Sequence, residues 1–157
     1  MSWIEVEAKV KVNDINESRQ KVRSIAKFLK KEQKEDIYYM LKNVKGYPNY
    51  RFRIRTVGQK HIINFKRRTK PQAIQVKEEF ELKVDEKTFS FLKEFFKEFF
   101  KQFLNKFKAS EIYRHKNVNI ELNYVKHLGW FIEVERLCKK NNKEINKAKK
   151  EVQEVLD

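Results

Sequence analysis

Glycine and proline are scarce in this 157-residue sequence, at three and two residues, and cysteine occurs once. Glycines at 46, 58 and 129 cannot compose a G-x-G-x-x-G or a G-x-x-x-x-G-K-S/T loop, so Rossmann-type and P-loop nucleotide binding are excluded. A lone Cys138 forms no internal disulfide. No apolar run approaches the ~20 residues of a membrane-spanning helix. The N-terminal stretch is charged at alternate positions from Glu5, where a signal peptide needs an apolar segment, so a soluble, cytoplasmic protein is expected, with no membrane partner. His61, His115 and His127 are scattered, and with one cysteine they offer no zinc site; surface or packing roles are expected for them.

Charge and aromatic surface are plentiful. Lys and Arg number 37 against 22 Asp and Glu, a formal net charge of +15, which points to a partner or substrate with several negative charges. Thirteen Phe, six Tyr and two Trp supply more apolar surface than a disordered basic tail carries, so the chain folds. Its length suits one domain spanning residues 1–157, and no linker or internal repeat divides it.

Alternation with period two runs from Ile4 to Val12, apolar at even and charged at odd positions from Glu5 to Lys11, the pattern of a strand with one buried face. It recurs at Arg51 to Arg55, Ile63 to Arg68, Val76 to Val84, Val118 to Asn123 and Ile132 to Glu135, with Glu111 to Arg114 as a short further case. These make about seven strands, near the number that curls a sheet towards closure. Helices are expected from an Asn13 or Asp14 cap to about Lys31, from Asp85 through a Phe-rich stripe ending at Phe103 and Leu104, and from about Lys143 to Leu156. The Phe-rich helix could lie on a membrane surface, but packing on the sheet is the expectation. Arg67 to Gln72 reads as a basic hairpin loop around Pro71.

The charged strand faces are sorted by sign. Glu-x-Glu pairs stand on the first strand (Glu5, Glu7) and the last (Glu133, Glu135), with Glu121 between, while Arg51, Arg53, Arg55, Lys66 and Arg68 occupy the middle strands. A solvated sheet face usually mixes signs, because unlike neighbours stabilise it. If the sheet curls with these faces inward, the result is an α+β protein, mainly an antiparallel barrel with a polar lumen, its apolar outside covered by helices. Gathered carboxylates repel unless a hard divalent cation lies between them, and Mg²⁺ or Mn²⁺ suits all-oxygen ligands. Opposing Arg and Lys side chains suit phosphate oxygens.

The order of motifs resembles the CYTH family of triphosphate tunnel metalloenzymes, in particular its class IV adenylyl cyclase-like subgroup. Glu5-x-Glu7-x-Lys9 matches the family signature. Gln33 to Tyr39 resembles Gln-x-x-Asp-x-Tyr-Phe, Phe52 to Arg55 resembles Leu-Arg-Ile-Arg, and Asn64 to Lys66 resembles Thr-Tyr-Lys. Lys77 to Glu81 resembles Arg-x-Glu-Tyr-Glu, and Leu128 to Glu135 matches Leu-Gly-x-Phe-x-Glu-x-Glu. The resemblance implies a tunnel in which Glu5, Glu7, Glu133 and Glu135 hold Mg²⁺ or Mn²⁺ and Lys9, Arg53, Arg55, Lys66 and Lys108 hold phosphates. It implies a substrate such as ATP, tripolyphosphate or thiamine triphosphate, with catalytic residues unassigned and the oligomeric state open, a homodimer included. Three positions depart from the family pattern: Ser110 where Lys-x-Arg is usual, Asn123 where Leu-Asp is usual, and Lys77 in place of Arg. The expected function is metal-dependent triphosphate processing, by hydrolysis or by conversion of ATP to cyclic AMP. The alternative is a non-catalytic binder of polyphosphate, nucleotide or RNA, which would bind with strong salt dependence and little need of a metal.

Overall fold

The computed structural model describes residues 2–43, 45, 50–67 and 72–157. Residues 68–71 of the expected basic loop lie outside the described residues.

The period-two segments form strands β1 (Ser2–Lys11), β3 (Tyr50–Val57), β4 (Lys60–Arg67), β5 (Gln75–Val84), β7 (Val118–Val125) and β8 (Gly129–Cys138). With β2 (Lys27–Leu41) and β6 (Phe100–His115) they close an antiparallel barrel in the order β1-β5-β4-β3-β2-β6-β7-β8. The helices are α1 (Ile15–Ile25), α2 (Glu86–Phe99) and α3 (Asn142–Leu156). The α+β barrel expected from the sequence is present, with eight strands among the described residues.

Both long strands correct the sequence reading. The first helix stops at Ile25, and Lys27 to Lys31, expected to be helical, begin β2 instead. The Phe-rich helix stops at Phe99, so Phe103 and Leu104 belong to β6, and Glu111 to Arg114 are its C-terminal part. Neither segment alternates cleanly. The two pair with each other from Lys27↔Arg114 to Leu41↔Phe100, and this long ladder overrides local helical preference. Asp14 caps α1, accepting from the backbone N–H of Asn16 at 2.8 Å, and Asp85 caps α2, accepting from that of Thr88 at 2.7 Å.

Each helix covers one sector of the outer wall. Ala148 and Val152 of α3 pack on Ile4, Val6, Ala8 and Val134; Val22 of α1 packs on Tyr113, Ile120 and Leu122; Phe89 and Phe96 of α2 pack on Tyr39 and Ile54. Each such buried Val, Leu, Ile or Phe contributes about 1.5–3 kcal/mol relative to exposure, so in the alternating strands the apolar face is fixed outward and the charged face inward. The expected packing of the Phe-rich helix on the sheet holds for Phe89 and Phe96, whereas Phe91 and Phe99 are exposed. No helix among the described residues is long and apolar enough to cross a membrane.

Candidate active site

The inward strand faces enclose a cavity of about 450 Å³. All nine candidate residues line it: Glu5, Glu7 and Lys9 from β1, Arg53 and Arg55 from β3, Lys66 from β4, Lys108 from β6, and Glu133 and Glu135 from β8. The same parity adds Lys77, Glu79 and Glu81 from β5, Glu121 from β7, Asn64 from β4, and Tyr38 and Lys106 from the β2–β6 ribbon. Carboxylates and cations are equal in number along this lining, seven of each. The lining is therefore balanced in formal charge, and does not itself carry the excess of basic residues that the sequence has.

The balance is made of individual ion pairs. Lys66 Nζ donates to both oxygens of Glu5, at 2.5 and 2.7 Å, Lys9 Nζ donates to Glu133 at 2.7 Å, and Lys77 pairs with Glu7. Lys108 lies 3.7 Å from Glu133. Arg55 donates to Asp36 through Nε at 2.6 Å and Nη2 at 2.8 Å, and Arg53 reaches Glu79 at 3.3 Å. Burial alone would raise the carboxyl pKa of Asp36, but the hydrogen bonds from Arg55 and the charge of Arg53 hold it well below the usual carboxylate range. Burial likewise opposes ionisation of Glu133, yet Lys108 and Lys9 bring it down to about 2.

Two groups break the pattern of satisfaction. Arg53 lines the lumen, and its Nε is buried without a hydrogen-bond acceptor, which costs free energy. Glu135 has no ion-pair partner among the described residues; burial, with Glu5 nearby, pushes its carboxyl up to about 8.

The donor set fits a hard divalent cation in kind, since Glu5, Glu7, Glu133 and Glu135 are all carboxylates and Glu5 and Glu135 repel one another. Among the described residues no three His, Cys, Asp or Glu side chains converge as a ready cation cage, and lysine ammoniums hold Glu5, Glu7 and Glu133.

Where Ser110 and Asn123 depart from the family pattern, the structure places them opposite each other in the β6–β7 register. The Ser110 hydroxyl donates to Asn123 Oδ1, Asn123 Nδ2 donates to Glu121 at 3.2 Å, and Glu121 accepts from Lys34 Nζ at 2.9 Å. Both departures thus form one neutral, buried pair rather than two independent losses. Sequence reasoning misses Asp36, Lys34 and Tyr38 because β2 carries no clean alternation; the Gln33 to Tyr39 motif is the available signal. Glu79 and Glu81 are legible from the parity of β5.

A family model described as CYTH domain matches residues 3–156. A Methanocaldococcus jannaschii protein named "Putative adenylate cyclase" is 29% identical over 158 residues, covering 98% of this chain and 86% of that protein. A solved structure from Pyrococcus horikoshii superposes with a TM-score of 0.80 at 30% identity, covering 97% of this chain and 88% of the other. A Hippeastrum protein, for which a dominant triphosphatase activity is described, shares the fold at a TM-score of 0.66 and 13% identity, covering 98% and 87%.

Proposed function

The chain belongs to the CYTH family, and we propose that it is a divalent-metal-dependent enzyme acting on a triphosphate within the barrel lumen, as one domain spanning residues 1–157. The convergence of Lys9, Arg53, Arg55, Lys66 and Lys108 on one cavity carries this reading, because these cations, with the Nε–H of Arg53 unsatisfied, call for an anionic acceptor. Arg53 and Arg55 bind phosphate oxygens from a fixed platform, oriented by Glu79 and Asp36. Glu5, Glu7, Glu133 and Glu135 would hold Mg²⁺ or Mn²⁺ once Lys66, Lys77 and Lys9 turn from these carboxylates to the phosphates. The ion supplies neutralisation of phosphate charge and polarisation of the phosphorus centre. A balanced lumen suits a metal–triphosphate complex, which brings charges of both signs, better than a bare polyanion.

The lining is polar almost throughout, Leu137 and Tyr38 being the exceptions, so the lumen has little to grip an organic group with. This favours hydrolysis of tripolyphosphate or of a nucleoside or thiamine triphosphate over cyclisation, which requires the ribose and α-phosphate to be aligned. Chromatography of products from ATP, thiamine triphosphate and tripolyphosphate, with and without Mg²⁺ and Mn²⁺, tests it. Metal-dependent release of orthophosphate or pyrophosphate is expected; cyclic AMP with pyrophosphate as the dominant products would reverse the preference for hydrolysis. No product from any triphosphate would leave binding without turnover, for which the neutral Ser110–Asn123 pair is the specific structural reason.

A further inference from the structure

Strand β2 outruns its neighbour. It pairs with β6 along its length, but with β3 only from Glu35 to Tyr39, because the β3–β4 hairpin turns at Gly58, just past Thr56, the partner of Glu35. Among the described residues, no backbone partner lies on the other side of Lys27 to Lys34. Lys27, Phe28, Leu29, Lys30 and Lys31 are exposed, so nothing in the fold covers this edge. A free edge of this length is a template for another strand.

Two further observations narrow what that strand is. Lys27 stands directly opposite Arg114 in the β2–β6 register, a like-charge pair that an anion relieves; Lys30 and Lys31 are 58% and 69% exposed, and although each has a carboxylate of the chain beside it, Glu32 at 2.5 Å and Glu111 at 3.8 Å, their exposed ammoniums keep donors for a second acceptor. Where the hairpin stops, a cavity of about 460 Å³ opens at the end of the edge, and Phe107 and Tyr124 on its wall are 45% and 42% exposed. The lining of the lumen does not itself carry the chain's excess of basic residues, and this edge is not part of that lining.

We propose that the free edge of β2 docks an extended, acidic segment of a partner protein as an additional strand, with an apolar side chain of that segment seated between Phe107 and Tyr124. Backbone groups supply the pairing, the lysines select for acidic residues, and the aromatic seat fixes the register. A nucleic acid would use the charges and leave the backbone row unpaired. A second copy pairing antiparallel through the same edge would bring lysines against lysines.

The test uses a dye-labelled octapeptide of alternating Glu and Val with one Phe, titrated into the whole protein by fluorescence anisotropy, with hydrogen exchange read along β2. The expected result is saturable binding that slows exchange at Lys27 to Lys34. N-methylating alternate peptide nitrogens should weaken it about tenfold or more, and so should Lys30→Glu with Lys31→Glu, surface changes whose fold circular dichroism verifies. Absence of binding, or binding indifferent to N-methylation, would overturn the proposal. So would a single-stranded oligonucleotide of equal charge giving the same protection of β2, or concentration-dependent protection without peptide, which would mean self-pairing.

Discussion

Asp36 holds Arg55 by a two-pronged ion pair across the β2–β3 register, and its own side chain has no solvent-exposed surface. Arg53 lies 3.8 Å from the same carboxylate, so one aspartate positions both guanidiniums of the lumen's basic wall. Replacing it by asparagine would leave two buried cations short of their counter-charge. Asp36→Asn is expected to cost about 3 kcal/mol of stability by urea denaturation and to weaken triphosphate binding as well. A stability loss below about 0.5 kcal/mol would show that the pair is compensated elsewhere.

The same carboxylate sets an acid limb. Its pKa is depressed in the folded protein, so the unfolded chain binds its proton more readily, and the stabilisation is present above the unfolded value and lost as pH falls through the folded one. Stability should drop steeply below about pH 4, and Asp36→Asn should flatten that limb while lowering the plateau above it. Denaturant midpoints from about pH 2 to about pH 7 measure this; parallel curves for the two proteins would count against it.

Arg53→Lys separates charge from geometry at the unsatisfied donor. Lysine keeps the positive charge but has no Nε–H, so tripolyphosphate affinity should fall about tenfold or more if that donor is used. Unchanged affinity by calorimetry would make Arg53 a point charge only.

The carboxylate substitutions should divide by partner. Glu7→Gln removes the counter-charge of Lys77 and should lower the melting temperature, whereas Glu135→Gln removes a carboxylate without an ion-pair partner among the described residues and should leave it level or raise it. Both should abolish metal-dependent turnover. Equal destabilisation by the two would contradict this division of the carboxylates.

Ser110→Arg and Asn123→Asp test whether the neutral pair limits turnover. Each alone buries an unmatched charge and should destabilise by about 3 kcal/mol; together they can form an ion pair, with a coupling of about 1–3 kcal/mol in a double-mutant cycle. The double variant should turn over more substrate than the parent, which a phosphate-release assay reads.

Much of this arrangement was legible because the strand period is two and the outside is apolar. Val6 and Val134 are buried under α3 while Glu7 and Glu135 beside them turn inward, so parity alone located the carboxylates. The β2–β6 ribbon was not legible. Phe99, Phe100, Phe103 and Leu104 fall at helical spacing, and only the ladder to β2, a contact between segments far apart in sequence, makes the last three extended. With β2 misread, Asp36 could not be placed beside Arg55. Net charge is a weaker guide than its distribution: the +15 points to a polyanionic partner, whereas the lining of the lumen carries as many carboxylates as cations.

Calorimetric titration of tripolyphosphate at fixed Mn²⁺ concentrations, from none to saturating, is the most direct test of a lumen built for metal and triphosphate together. Mutual dependence is expected: triphosphate affinity rising at least about tenfold with Mn²⁺, Mn²⁺ affinity rising by the same factor with triphosphate, and both gains lost in Glu135→Gln. Equal triphosphate affinity with and without Mn²⁺, at matched ionic strength, would contradict it and leave the lumen a plain anion site.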